Sequence, residues 1–129
     1  MKRILIVDDQ PHVIRVLRLC LERDGYTVAS ASDGTEALSL IRAGAPDVLI
    51  TDIQMAPMSG RELCQALHLE FPKREFLTLV MTSMTAREER DWVRQLPATE
   101  FVEKPLSPRA LLERLARHFS TLSEESARG

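Results

Sequence analysis

Five polar side chains stand directly after short apolar segments of the sequence. Asp8, Asp9 and Asp52 follow two of these segments, Thr82 closes another, and Lys104 comes after the last. Carboxylate oxygens are the ligands that a hard cation such as Mg²⁺ prefers, whereas an ammonium and a hydroxyl group can contact anionic oxygens. The five residues are therefore candidates for a site that holds a metal ion beside an anionic group.

The charges of these residues support the same interpretation. The three carboxylates outnumber the Lys104 ammonium, and like charges held close together raise each other's pKa. A divalent cation would cancel the excess. The Asp52 carboxylate could then attack phosphorus, while Lys104 and Thr82 contact the phosphoryl oxygens. No Cys/His set has the spacing of a structural zinc site, so we exclude that class of metal centre.

Short apolar segments alternate with amphipathic ones along the chain, which predicts five strands and five helices in an open α/β layer structure. Segments that are apolar on both faces are typical of a parallel sheet covered on both sides. Ligands bind beyond the carboxyl ends of the strands in such sheets, so the five polar residues are expected to meet at one edge. The predicted strands cover residues 4–7, 26–29, 48–50, 76–81 and 101–102.

The predicted helices begin at recognisable capping sequences. Asp33, Ser59 and Thr85 each precede a glutamate by three positions, which is the spacing of a capping box. Ser107 and Pro108 open the last helix, where proline is favoured at the first helical position.

The composition is that of one globular domain. The chain has 129 residues, of which 44% are hydrophobic and 28% charged. The net charge of -2 gives no sign of direct nucleic-acid binding, and no segment approaches a membrane span. We see no signal peptide and expect a cytoplasmic protein with reduced cysteines at Cys20 and Cys64. The domain is expected over residues 1–119, with a polar, disordered tail over 120–129.

Taken in order, these residues resemble the receiver domain of two-component response regulators over residues 2–119. Each matching residue is weak evidence alone, but the ordered set on alternating strand and helix segments is specific. The matching residues are the acidic pair Asp8-Asp9, the phosphoacceptor Asp52, Gly60 eight positions later, Thr82, the aromatic switch position Phe101, and Lys104-Pro105.

The resemblance implies a flavodoxin-like, doubly wound five-stranded parallel sheet with strand order 2-1-3-4-5. It implies that Asp9 and Asp52 bind Mg²⁺ directly, that Asp8 helps through water, and that the backbone carbonyl of Gln54 is a further ligand. The phosphoryl donor would be a phosphohistidine on a sensor histidine kinase or a phosphotransfer domain. The protein would be a self-phosphorylating and self-dephosphorylating switch and not a turnover enzyme.

The expected switch moves Thr82 and Lys104 toward the phosphoryl oxygens, shifts the loop at 83–85, and rotates Phe101 into the vacated space. The surface made by the fourth predicted helix, the fifth strand and the fifth predicted helix would then change its affinity for a downstream effector protein. A homodimer through that surface is compatible with the sequence. The sequence fits both a single-domain regulator and the N-terminal receiver of a longer protein.

Two segments depart from the family pattern. The family places proline directly after the first methionine of the loop Met55-Ala56-Pro57-Met58, so the loop backbone near the metal could differ here. Leu96-Pro97-Ala98 replaces a small-Gly-Ala sequence, so the approach to strand five could be bent.

Two other functions are alternatives to the switch. A pseudo-receiver that serves only as a docking module usually lacks an acidic residue or the lysine, and neither is missing here. A phosphatase with an aspartate nucleophile has the pattern D-x-D at the first strand end, but Gln10 stands two positions after Asp8. Walker-type and dinucleotide-binding glycine motifs are also missing from the sequence.

Overall fold

The computed structural model describes residues 2–55, 58–82, 95–96, 98–104 and 107–128, with side chains described as far as residue 122. The strands are β1 Arg3–Val7, β2 Thr27–Ala31, β3 Val48–Asp52, β4 Leu77–Thr82 and β5 Thr99–Glu103. The helices are α1 Pro11–Arg23, α2 Gly34–Ala43, α3 Gly60–Glu70 and α4 Pro108–Arg128.

All five strands are parallel and lie in the order β2-β1-β3-β4-β5, which confirms the predicted fold class. The helix α4 is the fifth helix predicted from the sequence. The fourth predicted helix, opening at Thr85, lies outside the described residues. The surface expected to carry the output is therefore described only for β5 and α4.

The burial of each strand matches its position in the sheet. Every residue of β3 and β4 is buried, and so are the last four residues of β1, because these strands are covered on both faces. The edge strands β2 and β5 are only partly buried. Near-continuous apolar segments therefore occupy the centre of the sheet, and the more polar segments lie at its edges.

Helices cover both faces of the sheet. One core cluster joins β1, β3 and β4 to Leu17 and Leu21 of α1 and to Leu111 and Leu115 of α4. A second cluster, on other side chains of β1 and β3, includes residues of α2 and α3 such as Leu63. This doubly wound arrangement leaves the carboxyl ends of the strands free to build a site.

Three helix starts carry the predicted caps. The Asp33 side chain accepts a hydrogen bond from the Glu36 N–H, and Ser59 and Glu62 form a complete capping box. The Ser107 hydroxyl oxygen accepts from the Ala110 N–H at 3.3 Å. These caps fix where α2, α3 and α4 begin relative to the strands.

The end of the last helix differs from the expectation of a polar tail over 120–129, because α4 continues to Arg128. No proline or glycine occurs between Pro108 and Gly129, and the added segment contains the helix formers Glu, Ala and Arg. Within the described part of the chain, no helix is both long enough and apolar enough to cross a membrane. Cys20 and Cys64 are free thiols, and Cys64 is buried.

Candidate functional site

The acidic residues lie together at the carboxyl ends of β1 and β3. The two strands pair in parallel with Val7 opposite Thr51. Asp8 and Asp52 are the next residues along the two strands, so they come at the same end of the sheet. Carboxylate oxygens of Asp8, Asp9 and Asp52 all lie within 4.8 Å of one another. Asp8 and Asp52 are buried, whereas Asp9 is exposed. The cluster therefore has a buried floor and one open side.

Asp8 is held by the backbone on both sides. Its N–H donates to the Ala31 carbonyl at 3.1 Å, and its Oδ1 accepts from the Gln10 N–H at 2.9 Å. Its Oδ2 is buried and has no hydrogen-bond partner among the described residues. Burial raises the pKa of the Asp8 carboxyl above its ordinary value, and the nearby Asp52 carboxylate adds to the shift against the Gln10 hydrogen bond.

Lys104 brings the only described ammonium group of the cluster. Its Nζ lies 3.1 Å from Asp52 Oδ1 and 3.8 Å from Asp8 Oδ2, with a quarter of the side chain exposed. The Lys104 N–H donates to the Thr82 carbonyl at 2.8 Å, directly after Thr82 and Glu103 pair in the sheet. The β4–β5 pairing thus places the Lys104 ammonium beside the carboxylate of Asp52, the last residue of β3.

The donor set fits a divalent cation. Three carboxylates share the cluster with one ammonium group, and the buried Oδ2 of Asp8 makes no hydrogen bond among the described residues, with the Lys104 ammonium 3.8 Å away. One ammonium does not balance three carboxylates, and the remaining negative charge favours a bound cation. Oxygen ligands on an open-sided cluster favour Mg²⁺ over a softer metal.

The structure also places the other predicted site residues. Thr82 is fully buried at the end of β4, where the neighbouring Met81 pairs with Asp52. Gln54 is exposed and lies two positions after Asp52, at the start of the loop to α3. Thr82 therefore lies beside the strand end that carries Asp52.

Phe101 lies in the middle of β5, opposite Val80. It is partly buried and packs against a small core cluster of Ile53, Cys64 and Val80. Because Ile53 directly follows Asp52, this cluster connects the acidic site to the aromatic ring. Burial raises the pKa of the Cys64 thiol to about 12, so this thiol stays protonated inside the cluster.

Gly60 fixes the far end of the loop that follows Asp52. Its N–H donates to the Ile53 carbonyl at 2.9 Å. A Cβ atom at this position would lie 2.0 Å from the Asp52 carbonyl oxygen, a distance that no packing arrangement accepts. The glycine is therefore needed so that α3 can start against the backbone of the phosphoacceptor candidate.

The structure describes only part of the two segments that depart from the family pattern. Ala98 adopts a left-handed backbone with φ of 51°, the one non-glycine residue of the described chain with positive φ, directly before β5. The chain thus turns sharply there, and the Ala98 carbonyl accepts from the Thr78 N–H at 2.8 Å. Ala56, Pro57 and Pro97 lie outside the described residues.

Two contacts near the site have little or no signal in the sequence. Thr51 Oγ1 donates to the Asp52 carbonyl at 3.0 Å, and the Gly34 N–H donates to the Met58 carbonyl at 3.0 Å. The first involves adjacent residues and carries no sequence signal. The second had a signal, since glycine is a poor helix former and yet stands in the first turn of α2.

Comparison with known proteins gives the family of this fold and cluster. The family model of the response regulator receiver domain matches residues 4–116. The chain is 34% identical over 114 residues to the alkaline phosphatase synthesis transcriptional regulatory protein PhoP of Bacillus subtilis. It is equally similar to the probable transcriptional regulator ycf27 of Guillardia theta. The matches cover 88% of this chain and 47% and 44% of those proteins, so the chain spans about half the length of the curated relatives it matches.

Comparison with solved structures gives the same family. The chemotaxis response regulator CheY4 of Vibrio cholerae superposes with a TM-score of 0.82 at 32% identity, over 91% of this chain and 98% of that one. A CheY-like receiver domain protein of Methanospirillum hungatei gives a TM-score of 0.85 at 29% identity, over 100% and 99% of the two chains. The chain belongs to the response regulator receiver domain family of two-component signalling.

Proposed function

We propose that this receiver accepts a phosphoryl group on Asp52 from a phosphohistidine of a sensor histidine kinase or phosphotransfer domain. The observation that carries the proposal is the pair of contacts around Asp52. Its Oδ1 lies 3.1 Å from the Lys104 ammonium, and its carboxylate lies within 4.8 Å of two further carboxylates. A nucleophile, a counter-ion for developing negative charge and ligands for a cation are thus together.

In the transfer step, a carboxylate oxygen of Asp52 forms a bond to phosphorus while the phosphorus–nitrogen bond of the phosphohistidine breaks. The bonding electrons leave with the imidazole, which takes up a proton. The Lys104 ammonium pairs with one phosphoryl oxygen, and the buried Thr82 hydroxyl donates to another. Such transfer depends mainly on positioning and on neutralising charge, and both residues supply these.

The proposed metal ion is Mg²⁺, which Asp9 and Asp52 would hold directly, Asp8 through water, and Gln54 through its backbone carbonyl. When bound, the cation supplies positive charge that neutralises the phosphoryl oxygens and the excess of carboxylates. The buried Asp8 Oδ2, which makes no hydrogen bond among the described residues, and the spacing of the three carboxylates support this assignment.

The proposed output is a two-state switch. Contacts of Thr82 and Lys104 with the phosphoryl group exist in only one state, and a ligand shifts an equilibrium by such differential contacts. Phe101 would respond because it packs on the cluster that contains Ile53, the residue after Asp52. The response would reach the surface that includes β5 and α4.

We assign the switch to residues 1–119 and its output to contacts with a downstream effector protein, with a homodimer through the same surface as one form of that output. The curated relatives are transcriptional regulators about twice as long, and one structural neighbour is a chemotaxis regulator. Both kinds of protein are consistent with an output made through protein contacts. The protein acts within the cell and stoichiometrically, one phosphoryl group per chain.

Acetyl phosphate with Mg²⁺ tests the proposal by intact-protein mass spectrometry. Wild type should gain one phosphoryl group, Asp52→Asn should gain none, and Asp24→Asn, at an exposed aspartate that ends α1, should behave as wild type. Equal incorporation by Asp52→Asn would refute the acceptor assignment. No incorporation by wild type would favour a docking module, and sustained hydrolysis of phosphate esters would favour an enzyme.

A further inference from the structure

The loop between Asp52 and α3 is held at two points. Gly60 anchors its end to Ile53, as described above. The second point is Met58, whose carbonyl accepts a hydrogen bond of 3.0 Å from the N–H of Gly34. Gly34 is the first residue of α2, so the first turn of α2 holds the residue that lies two positions before the Gly60 anchor.

Gly34 and Met58 approach too closely for any side chain at position 34. A Cβ atom there would lie 2.7 Å from both the carbonyl oxygen and Cγ of Met58, and 2.9 Å from its Cβ. Real Cβ contacts are essentially never shorter than 3.0 Å, so a substitution forces a shift. One of the three atoms belongs to the backbone, so a change of the Met58 side-chain rotamer alone cannot remove the conflict.

The helix side of this contact is fixed, so the loop is the part that must move. Asp33 Oδ1 accepts from the Glu36 N–H at 2.9 Å, and Glu36 Oε2 accepts from the Ser32 N–H and hydroxyl at 3.1 and 2.9 Å. Ala37 and Leu38 of the same turn are buried in the core. Moving the start of α2 would break this cap and unpack the core beneath it.

From these contacts we infer that Gly34 is a positioning residue for the site at Asp52. It holds Met58, two residues before Gly60, and so keeps the start of α3 against the backbone of Ile53 and Asp52. The inference rests on the proposed function and extends the site to α2, which contributes no reacting group. Because Gly34 acts through the loop, its replacement should change metal binding and transfer without touching a carboxylate.

The chain offers a matched control in the same helix. Gly44, which ends α2, has an extended φ of -179°, and an added Cβ would lie 3.5 Å from the nearest atom, the Arg3 guanidinium. This distance is ordinary van der Waals contact. Gly34→Ala and Gly44→Ala therefore make the same chemical change at the two ends of α2, with a forced shift only in the first.

Both variants and wild type should be compared for Mg²⁺ affinity, by titration of backbone amide resonances, and for the rate of phosphorylation by acetyl phosphate. We expect Gly34→Ala to react about tenfold more slowly and to bind Mg²⁺ more weakly, since displacing a positioning element by a fraction of an ångström is costly. Gly44→Ala should stay within about twofold of wild type, a conservative bound for a site distant from the reaction.

A loss of stability alone must be separated from a positioning effect. Ile41→Val in the buried face of α2 removes one methyl group from the core and serves as a destabilised control. It should keep the wild-type rate and Mg²⁺ affinity, whereas Gly34→Ala should lose both while its amide spectrum remains that of a folded protein. Equal rates and affinities for Gly34→Ala and Gly44→Ala would overturn the inference.

If Gly34→Ala does not fold, hydrogen exchange of the Gly34 amide in wild type tests the same contact, because this N–H donates to the Met58 carbonyl. A contact that favours Mg²⁺ binding must itself be strengthened by Mg²⁺, so the exchange should slow when Mg²⁺ is added, and an unchanged rate would overturn the inference. A wild type that takes up no phosphoryl group would instead refute the proposed function. In that case the Mg²⁺ titration of the same variants still tests the loop.

Discussion

Replacing Asp8 by asparagine should stabilise the metal-free protein and weaken its response to Mg²⁺. Asparagine keeps an Oδ1 acceptor for the Gln10 N–H, so the turn after β1 is preserved. It removes one negative charge and exchanges Oδ2, which makes no hydrogen bond among the described residues, for an amide donor facing the other carboxylates. The Asp8 carboxylate is therefore predicted to serve Mg²⁺ binding while it lowers the stability of the metal-free protein.

The magnitude follows from the distances. Two unit charges at 4.8 Å, the upper limit of the carboxylate separations, repel by about 3.5 kcal/mol at an effective dielectric constant of about 20. Asp8 has two such repulsions, from Asp9 and Asp52, and one attraction of about 4 kcal/mol to Lys104 at 3.8 Å. The balance is a repulsion of roughly 3 kcal/mol, which solvent reduces because Asp9 is exposed. We expect a net stabilisation of about 1 kcal/mol after screening.

Urea unfolding at low ionic strength, in chelator and then in excess Mg²⁺, measures both effects. In chelator, Asp8→Asn should unfold at a higher urea concentration than wild type. Mg²⁺ should raise the free energy of unfolding of wild type more than that of the variant, because the cation binds the folded state. Asp24→Asn should change both values by no more than about 0.5 kcal/mol, as exposed substitutions do. A variant less stable than wild type in chelator would refute the repulsion account.

Three further predictions concern the backbone, the switch and the cysteines. Gly60→Ala should lower the free energy of unfolding by about 3 kcal/mol, because its Cβ would collide with the Asp52 carbonyl, whereas Gly44→Ala should cost less than about 0.5 kcal/mol by the same urea measurement. Thr82→Ala should still take up one phosphoryl group, as measured by mass spectrometry. It should lack the amide shift at Phe101 that is expected on phosphorylation of wild type, and an unchanged shift would contradict the switch. Iodoacetamide at pH 8 should leave Cys64 unlabelled in the native protein, since burial raises its pKa to about 12, and rapid labelling would contradict the burial.

The fold and the meeting of the acidic residues with the lysine were predictable because both depend on local patterns. Segments such as 48–50, apolar on both faces, indicate central parallel strands, and parallel strands align their carboxyl ends. Periodicity and the position of each polar residue at a strand end therefore predict a common edge of the sheet. The neighbouring positions of β1 and β3, which bring Asp52 next to the residues after β1, were implied by the family resemblance.

The remaining features depend on how elements approach each other, which periodicity does not encode. The requirement for glycine at position 34 arises from Met58 of a different loop, and no pattern links the two positions. The end of α4 was predicted near Phe119 because the following residues are polar, but a polar segment without Pro or Gly can continue a helix that the core has already nucleated. The predicted strand ends differ from the observed ones by at most two residues, which is the usual uncertainty at the ends of such elements.

The most direct test of the central claim is binding of beryllofluoride, which mimics a phosphoryl group on an aspartate, followed by amide resonances of the site. With Mg²⁺ present, the account predicts saturable shifts at Asp52, Thr82 and Lys104 in wild type. It predicts none without Mg²⁺ and none in Asp52→Asn. Shifts of the same size in Asp52→Asn, or in wild type without any divalent cation, would contradict it.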